Sequence, residues 1–236
     1  MKVLVTGANG FVGRTLCPVL AANGDEVVAA VREDGARYAL PGAARIAAVG
    51  ELGPDTDWSH AVQGCTAVVH LAARAHVMRD AAADPLALYR AINTEGTLNL
   101  ARQAAAAGVR RFVFVSSVKV LGEERDASYT EADAPAPCDA YARSKFEAEQ
   151  GLWRIAQETG LEVVVLRPPL IYGPGVKANF SRLMRWVVRG LPLPFGLAAN
   201  RRSLLYIGNF ADAIGHCLRQ PRDRHAGVGR DGAATR

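Results

Sequence analysis

Lys2-Val3-Leu4-Val5-Thr6-Gly7-Ala8-Asn9-Gly10-Phe11-Val12-Gly13 stands at the start of the chain, and the reading of the whole fold turns on it. A short apolar run stops at glycine, three glycines follow at G-x-x-G-x-x-G spacing, and a helical pattern begins within the last of them. Glycines at that spacing between a strand and a helix have a physical use. Two let backbone N–H groups approach a pyrophosphate, and the third lets the helix pack closely on the strand. The N-terminus of the helix adds partial positive charge.

The same strand-then-helix texture continues outward. Val27–Val31, Ala67–Val69, Phe112–Val115 and Val163–Leu166 are continuous apolar runs, and Arg45–Val49 is a weaker one. Continuous rather than alternating apolarity predicts strands buried on both faces, as in a parallel sheet covered by helices. Helical patterns fill the intervals at 11–22, 86–107 and 140–159, closed by Asn23-Gly24, Gly108 and Gly160, since glycine supplies the left-handed cap. Alternation of this kind predicts an α/β fold of Rossmann type, a doubly wound parallel sheet. Prolines 168, 169, 174, 192 and 194 then break the pattern, leaving helices near 178–189 and 209–219. The expected division is a dinucleotide-binding domain over 1–168, a small, incomplete C-terminal lobe over 169–220, and a disordered Gly-, Ala- and Arg-rich tail over 221–236.

Half of the 236 residues are apolar, enough for a full core without disulfides or metal. Residues 219–236 hold five Arg and two Asp, so most of the net charge of +5 belongs to the tail. No basic stripe interleaved with aromatics remains elsewhere, which argues against nucleic acid as a partner. No apolar run reaches membrane-spanning length, and the first run is too short for a secretory segment. Cys17, Cys65, Cys138 and Cys217 are isolated, without a C-x-x-C pair. They read as reduced thiols of a cytoplasmic protein, with no metal site.

Tyr141-Ala142-Arg143-Ser144-Lys145 opens the helix at 140–159 and puts a phenol and an ammonium four residues apart on one face. A nearby cation favours phenolate, which suits proton transfer. Ser116-Ser117 follow the strand 112–115, and ligand groups in such sheets gather at carboxyl ends of strands.

Together these motifs resemble the extended short-chain dehydrogenase/reductases, in the nucleotide-sugar epimerase/dehydratase branch. His70-Leu71-Ala72-Ala73, Asn93-Thr94-Glu95-Gly96-Thr97 and Arg167-Pro168-Pro169-Leu170-Ile171-Tyr172-Gly173-Pro174-Gly175 match as well, so the resemblance covers about 1–220. It implies Tyr141 as the general base toward a sugar hydroxyl, Ser117 as hydrogen-bond partner of the reacting oxygen, and Lys145 as the group that holds the nicotinamide ribose and lowers the Tyr141 pKa. Leu121 replaces the usual tyrosine before Gly122. Gly7, Asn9, Gly10, Phe11, Val12 and Gly13 would surround the pyrophosphate, with Arg32, Glu51 and Leu52 at the adenosine end. Leu71, Ala72, Ala73, Asn93 and Pro168 would line the remainder, Asn93 acting on Lys145 through water. Lys119, Asn179 and Arg202 would contact the sugar nucleotide, Arg202 facing its diphosphate.

Two departures narrow the chemistry. Family dehydratases carry an acid pair straight after the catalytic Ser or Thr, where this chain has Val118 and Lys119; dehydration is thereby disfavoured. The second strand ends in Val31-Arg32-Glu33 rather than in the carboxylate that receives the ribose hydroxyls of NAD. Arg32 favours the 2′-phosphate of NADP, while Glu33 keeps NAD open. The expected activity is oxidoreduction at C4 of a nucleotide sugar such as a UDP-hexose, with a 4-epimerase first and an NADPH-dependent 4-keto reductase second. A non-catalytic dinucleotide-binding regulator is the alternative from another class, because family members run further and the substrate lobe looks truncated. The resemblance also implies a homodimer through the helices at 86–107 and 140–159; Leu86, Leu88 and Leu152 suit outer faces of these helices and would equally serve the core.

Overall fold

The computed structural model describes residues 1–33, 40–75, 84–123, 128–130, 132–176, 178–190 and 202–220, with Ala178 and Asn179 described in backbone only. The expected disordered tail, 221–236, lies outside them. Six strands form one parallel sheet: β1 (Lys2–Thr6), β2 (Glu26–Val31), β3 (Ala43–Ala48), β4 (Ala67–His70), β5 (Arg111–Val115) and β6 (Glu162–Leu166). Their order is β3-β2-β1-β4-β5-β6. The expected Rossmann-type fold is therefore the observed one. The order in which strands are added reverses between β1 and β4, and in open sheets of this kind the crevice at such a switch point receives the ligand.

Alternate residues of the strands feed two cores. Leu4, Val28, Val68, Phe112 and Phe114 face α2 (Ser59–Val62), α4 (Gly96–Ala106) and α5 (Ala140–Thr159). Val3, Val5, Val27, Val69 and Val113 face α1 (Phe11–Ala22) and α7 (Ile207–Arg219). Burial of the strands on both faces is why their sequences carry no polar alternation. The last helix of the 169–220 stretch thus returns to the main sheet, packing through Phe210, Ile214 and Leu218 against α1. Between β6 and α7 lie α6 (Ala178–Val188) and a two-stranded parallel pair, β7 (Leu170–Tyr172) with β8 (Leu204–Tyr206). Strands of three residues are too short to announce themselves by periodicity.

One expectation needs correction. The helix expected over 86–107 is interrupted: α3 (Pro85–Tyr89) passes into a π turn at Arg90–Glu95 before α4 begins. The turn draws Asn93 and Thr94 into the interior, where their side chains find polar partners. Of the leucines that suit an outer face or the core, Leu152 is fully buried on α5 against the sheet, while Leu86 and Leu88 are half-buried. Among the described residues no helix is long and apolar enough to cross a membrane.

Candidate active site

The glycine loop leaves β1 at the switch point. Gly7 has φ +63°, and a Cβ there would come within 3.0 Å of the Ala72 nitrogen. Only glycine accepts both that backbone conformation and that approach. The loop following β4, Leu71-Ala72-Ala73, is thereby pressed against the loop following β1, so two expected cofactor segments adjoin. Gly13 is tighter: a Cβ would stand 2.5 Å from the Gly7 carbonyl oxygen and 2.6 Å from Ala8.

Helix α1 begins at Gly10 with no side-chain cap and no acidic residue in its first turn. By contrast, α3 and α5 are capped by Asp84 and Asp139, which accept from the Ala87 and Ala142 amides at 3.0 and 2.6 Å. First-turn N–H groups without a side-chain partner form a site for an external anion. The loop, of which Asn9, Phe11 and Val12 are part, thus fits a dinucleotide pyrophosphate. Arg32 and Glu51, expected at the adenosine end, lie together at the carboxyl ends of β2 and β3. They form an exposed ion pair of 3.4 Å, while Leu52 packs against the core beside Gly96.

At the neighbouring strand ends, Ser117 follows β5 and caps a 3₁₀ turn, Val118–Leu121, accepting from the Lys119 amide at 3.3 Å. The Val118 amide donates to the Pro168 carbonyl at 3.1 Å, which ties this turn to the segment after β6. Tyr141 and Lys145 occupy the first turns of α5. The Tyr141 phenol is pushed up to about 12, chiefly by burial and also by Asp139 and Tyr89, against the downward pull of Lys119 and the Ser117 hydroxyl.

Lys145 behaves differently from expectation. Its ammonium donates to the Val115 carbonyl at 2.9 Å and lies 4.4 Å from the centre of the Phe114 ring. Burial drives its pKa down to about 7, against the pull of Glu149. A cation that pulls the Tyr141 phenol down is Lys119, while the Lys145 ammonium donates into the end of β5. Lys119 itself is held at 2.7 Å by Asp139 and at 2.7 Å by Glu123, and these bonds raise its pKa.

Asn93 is fully buried in the π turn. Its carboxamide accepts from the Arg74 amide at 2.8 Å and donates to the Arg74 carbonyl and the Ser144 hydroxyl, each at 3.0 Å. Both of its amide hydrogens are therefore committed to holding the loop after β4 to α5. Arg202 is exposed just before β8, and the side chain of Asn179 lies outside the described residues. Sequence reasoning missed the surroundings of this site: Asp139 and Glu123 around Lys119, and Tyr89 edge-on to Tyr141 with ring centres 6.2 Å apart. Only Asp139, directly before a helical pattern, carried a sequence signal, that of an N-cap.

A parallel sheet of this strand order, with an uncapped glycine-loop helix at the switch point and Ser, Tyr and Lys at the adjoining strand ends, defines a dinucleotide-binding domain of the short-chain dehydrogenase/reductase class. The chain belongs to the NAD dependent epimerase/dehydratase family, whose model matches residues 3–229. It is 45% identical over 230 residues to a UDP-glucose 4-epimerase of Vibrio cholerae, a match covering 94% of this chain and 67% of that protein. The chain spans between 37% and 63% of the length of four further curated relatives. Among solved structures, MoeE5 in complex with UDP-glucuronic acid and NAD superposes with a TM-score of 0.79 at 31% identity, covering 95% of this chain and 74% of the other. A UDP-glucuronic acid 4-epimerase from Bacillus cereus, bound to UDP-glucuronic acid and NAD, gives 0.80 at 27% identity, with 94% and 74% covered.

Proposed function

We propose that the protein is a UDP-hexose 4-epimerase, acting through a 4-keto intermediate with a bound dinucleotide. The observation that carries this reading is the convergence of Ser117, Tyr141 and Lys145 on strand ends adjoining an anion-ready glycine loop. Tyr141 in its phenolate form accepts the C4 hydroxyl proton and later returns it, while Ser117 hydrogen-bonds the reacting oxygen. Lys145 anchors the first turns of α5 to β5 and faces the ribose. When bound, the dinucleotide supplies the acceptor, and then the donor, of the C4 hydride. Val118 and the ion-paired Lys119 provide no acid pair for eliminating water, so the sugar keeps its oxygens. Lys119, Asn179 and Arg202 are proposed contacts to the substrate. The relatives named UDP-glucose and UDP-glucuronic acid 4-epimerases support the same chemistry.

Arg32 favours a second reading, an NADPH-dependent 4-keto-sugar reductase, since its exposed pair with Glu51 is worth only about 0–1 kcal/mol and yields readily to a 2′-phosphate. The protein is incubated with UDP-glucose or UDP-galactose without added cofactor, and calorimetry compares NAD with NADP. The expected result is sugar interconversion without added cofactor. Reduction of a UDP-4-keto-hexose with consumption of NADPH, and no interconversion of the two UDP-hexoses, overturns the epimerase in favour of the reductase; dinucleotide binding without turnover of any UDP-sugar favours a regulator. A homodimer through α3–α4 and α5 is proposed on family likeness; a monomer mass by sedimentation overturns it.

A further inference from the structure

Thr6 and His70 are register partners at the carboxyl ends of β1 and β4, and Thr97 faces His70 from α4. All three side chains are buried. The Thr6 hydroxyl oxygen accepts from the Leu71 and Ala72 amides, each at 3.1 Å. Those two donors fill its lone pairs. Its own proton must then go to the Nδ1 of His70, 2.7 Å away. With Nδ1 accepting, Nε2 carries the hydrogen and donates to the Thr97 hydroxyl at 2.9 Å. Thr97 in turn donates to the Asn93 carbonyl at 2.7 Å. Donor counting therefore fixes one direction along the chain of bonds and one tautomer of the imidazole.

The chain does not end there. Asn93 grips Arg74 and Ser144, the Ser144 hydroxyl donates to the Tyr141 carbonyl at 2.7 Å, and the Thr94 hydroxyl donates to the Ser144 carbonyl at 2.9 Å. A continuous buried path thus runs from the end of the glycine-loop strand, through the loop after β4, to the first turns of α5. We infer that His70, as a neutral Nε2–H imidazole, is a positioning residue that fixes the loop 71–74 and the helix bearing Tyr141 and Lys145 in one register. Each arrangement of the loop demands one arrangement of the helix, because a misplaced member leaves a buried hydroxyl or amide without a partner. Aromatic packing holds the ring in place: its centre is 5.9 Å from Phe112 and 5.9 Å from Phe114, and Lys145 lies over the latter ring. Burial, helped by Lys145, keeps the His70 pKa near 3. Protonation would place a hydrogen on Nδ1, where the Thr6 proton already points.

The proposal rests on the dinucleotide-binding part of the functional reading, and its test needs no turnover. Nitrogen-15 spectra of the whole chain are expected to show His70 as the Nε2–H tautomer from pH 5 to 8. Thr97→Val removes the relay at nearly constant volume and is expected to weaken NAD binding about ten-fold by calorimetry. Thr97→Ser, which keeps the hydroxyl, is expected to restore it. An Nδ1–H or protonated His70, wild-type NAD affinity in Thr97→Val, or equal loss in Thr97→Val and Thr97→Ser each overturns the inference. Should Thr97→Val unfold, the tautomer and the Thr97→Ser affinity still decide. Loss of epimerase activity alone would count against the proposed function and leave these measurements standing.

Discussion

Tyr141 and Lys145 have opposite problems of charge. The phenol is held near 12, well above its ordinary value, and the ammonium near 7, well below its own, both chiefly by burial. The unfolded chain holds more protons on Lys145 than the folded one between about pH 7 and pH 10.5, so stability rises with pH across that window. For Tyr141 the unfolded chain loses its proton first, so stability falls between about pH 10 and pH 12. Lys145→Met removes the first dependence. Urea titrations at pH 6.5 and 9.5 should show wild type gaining on the variant as pH rises; parallel behaviour would mean that Lys145 keeps its proton. The spacing put this pair on the opening turns of one helix, where the fold has it. It could not say which cation acts on the phenol, because that depends on Asp139, Glu123 and the Val115 carbonyl, which only the folded chain brings near.

Among elements, the first strand, loop and helix were the most legible, since glycine spacing and apolar runs express local geometry directly. The π turn at 90–95 was not, because its cause is tertiary: Asn93 and Thr94 turn inward to partners on α5 and the loop after β4. Nor was the β7–β8 pair, whose second strand is supplied from 34 residues further on. Two glycines allow a test of packing at this scale. A Cβ on Gly13 meets backbone at 2.5 Å, whereas one on Gly151 meets the end of the Leu98 side chain at 2.5 Å. Backbone cannot yield as a leucine rotamer can. Gly13→Ala should weaken NAD binding at least ten-fold and cost about 3 kcal/mol or more of stability, while Gly151→Ala should cost about 1 kcal/mol and bind NAD as wild type. Comparable binding in the two variants would refute the assignment of Gly13 to the cofactor loop.

At the scale of the whole molecule, the return of α7 is what closes the structure. Arg111, at the start of β5, donates to the carbonyls of Cys217, Leu218 and Gln220 while its other edge binds Glu162. Arg219 pairs with the buried Asp25. Arg111→Met keeps the stem but orphans the end of α7 and Glu162, at a cost of about 3 kcal/mol. The urea midpoint should fall accordingly; a shift below about 0.5 kcal/mol would show that α7 is held by its apolar face alone.

That return also has a consequence in time. Phe210, Ile214 and Leu218 cover the sheet face and α1 surface built from Val3, Val5, Leu16 and Leu20. During synthesis the amino-terminal half emerges long before its cover. At about 5–20 residues per second, an oily surface stays open for on the order of ten seconds or more on the ribosome. A chaperone that shields apolar surface on a nascent chain therefore has its natural moment here, and release must await the residues that complete α7.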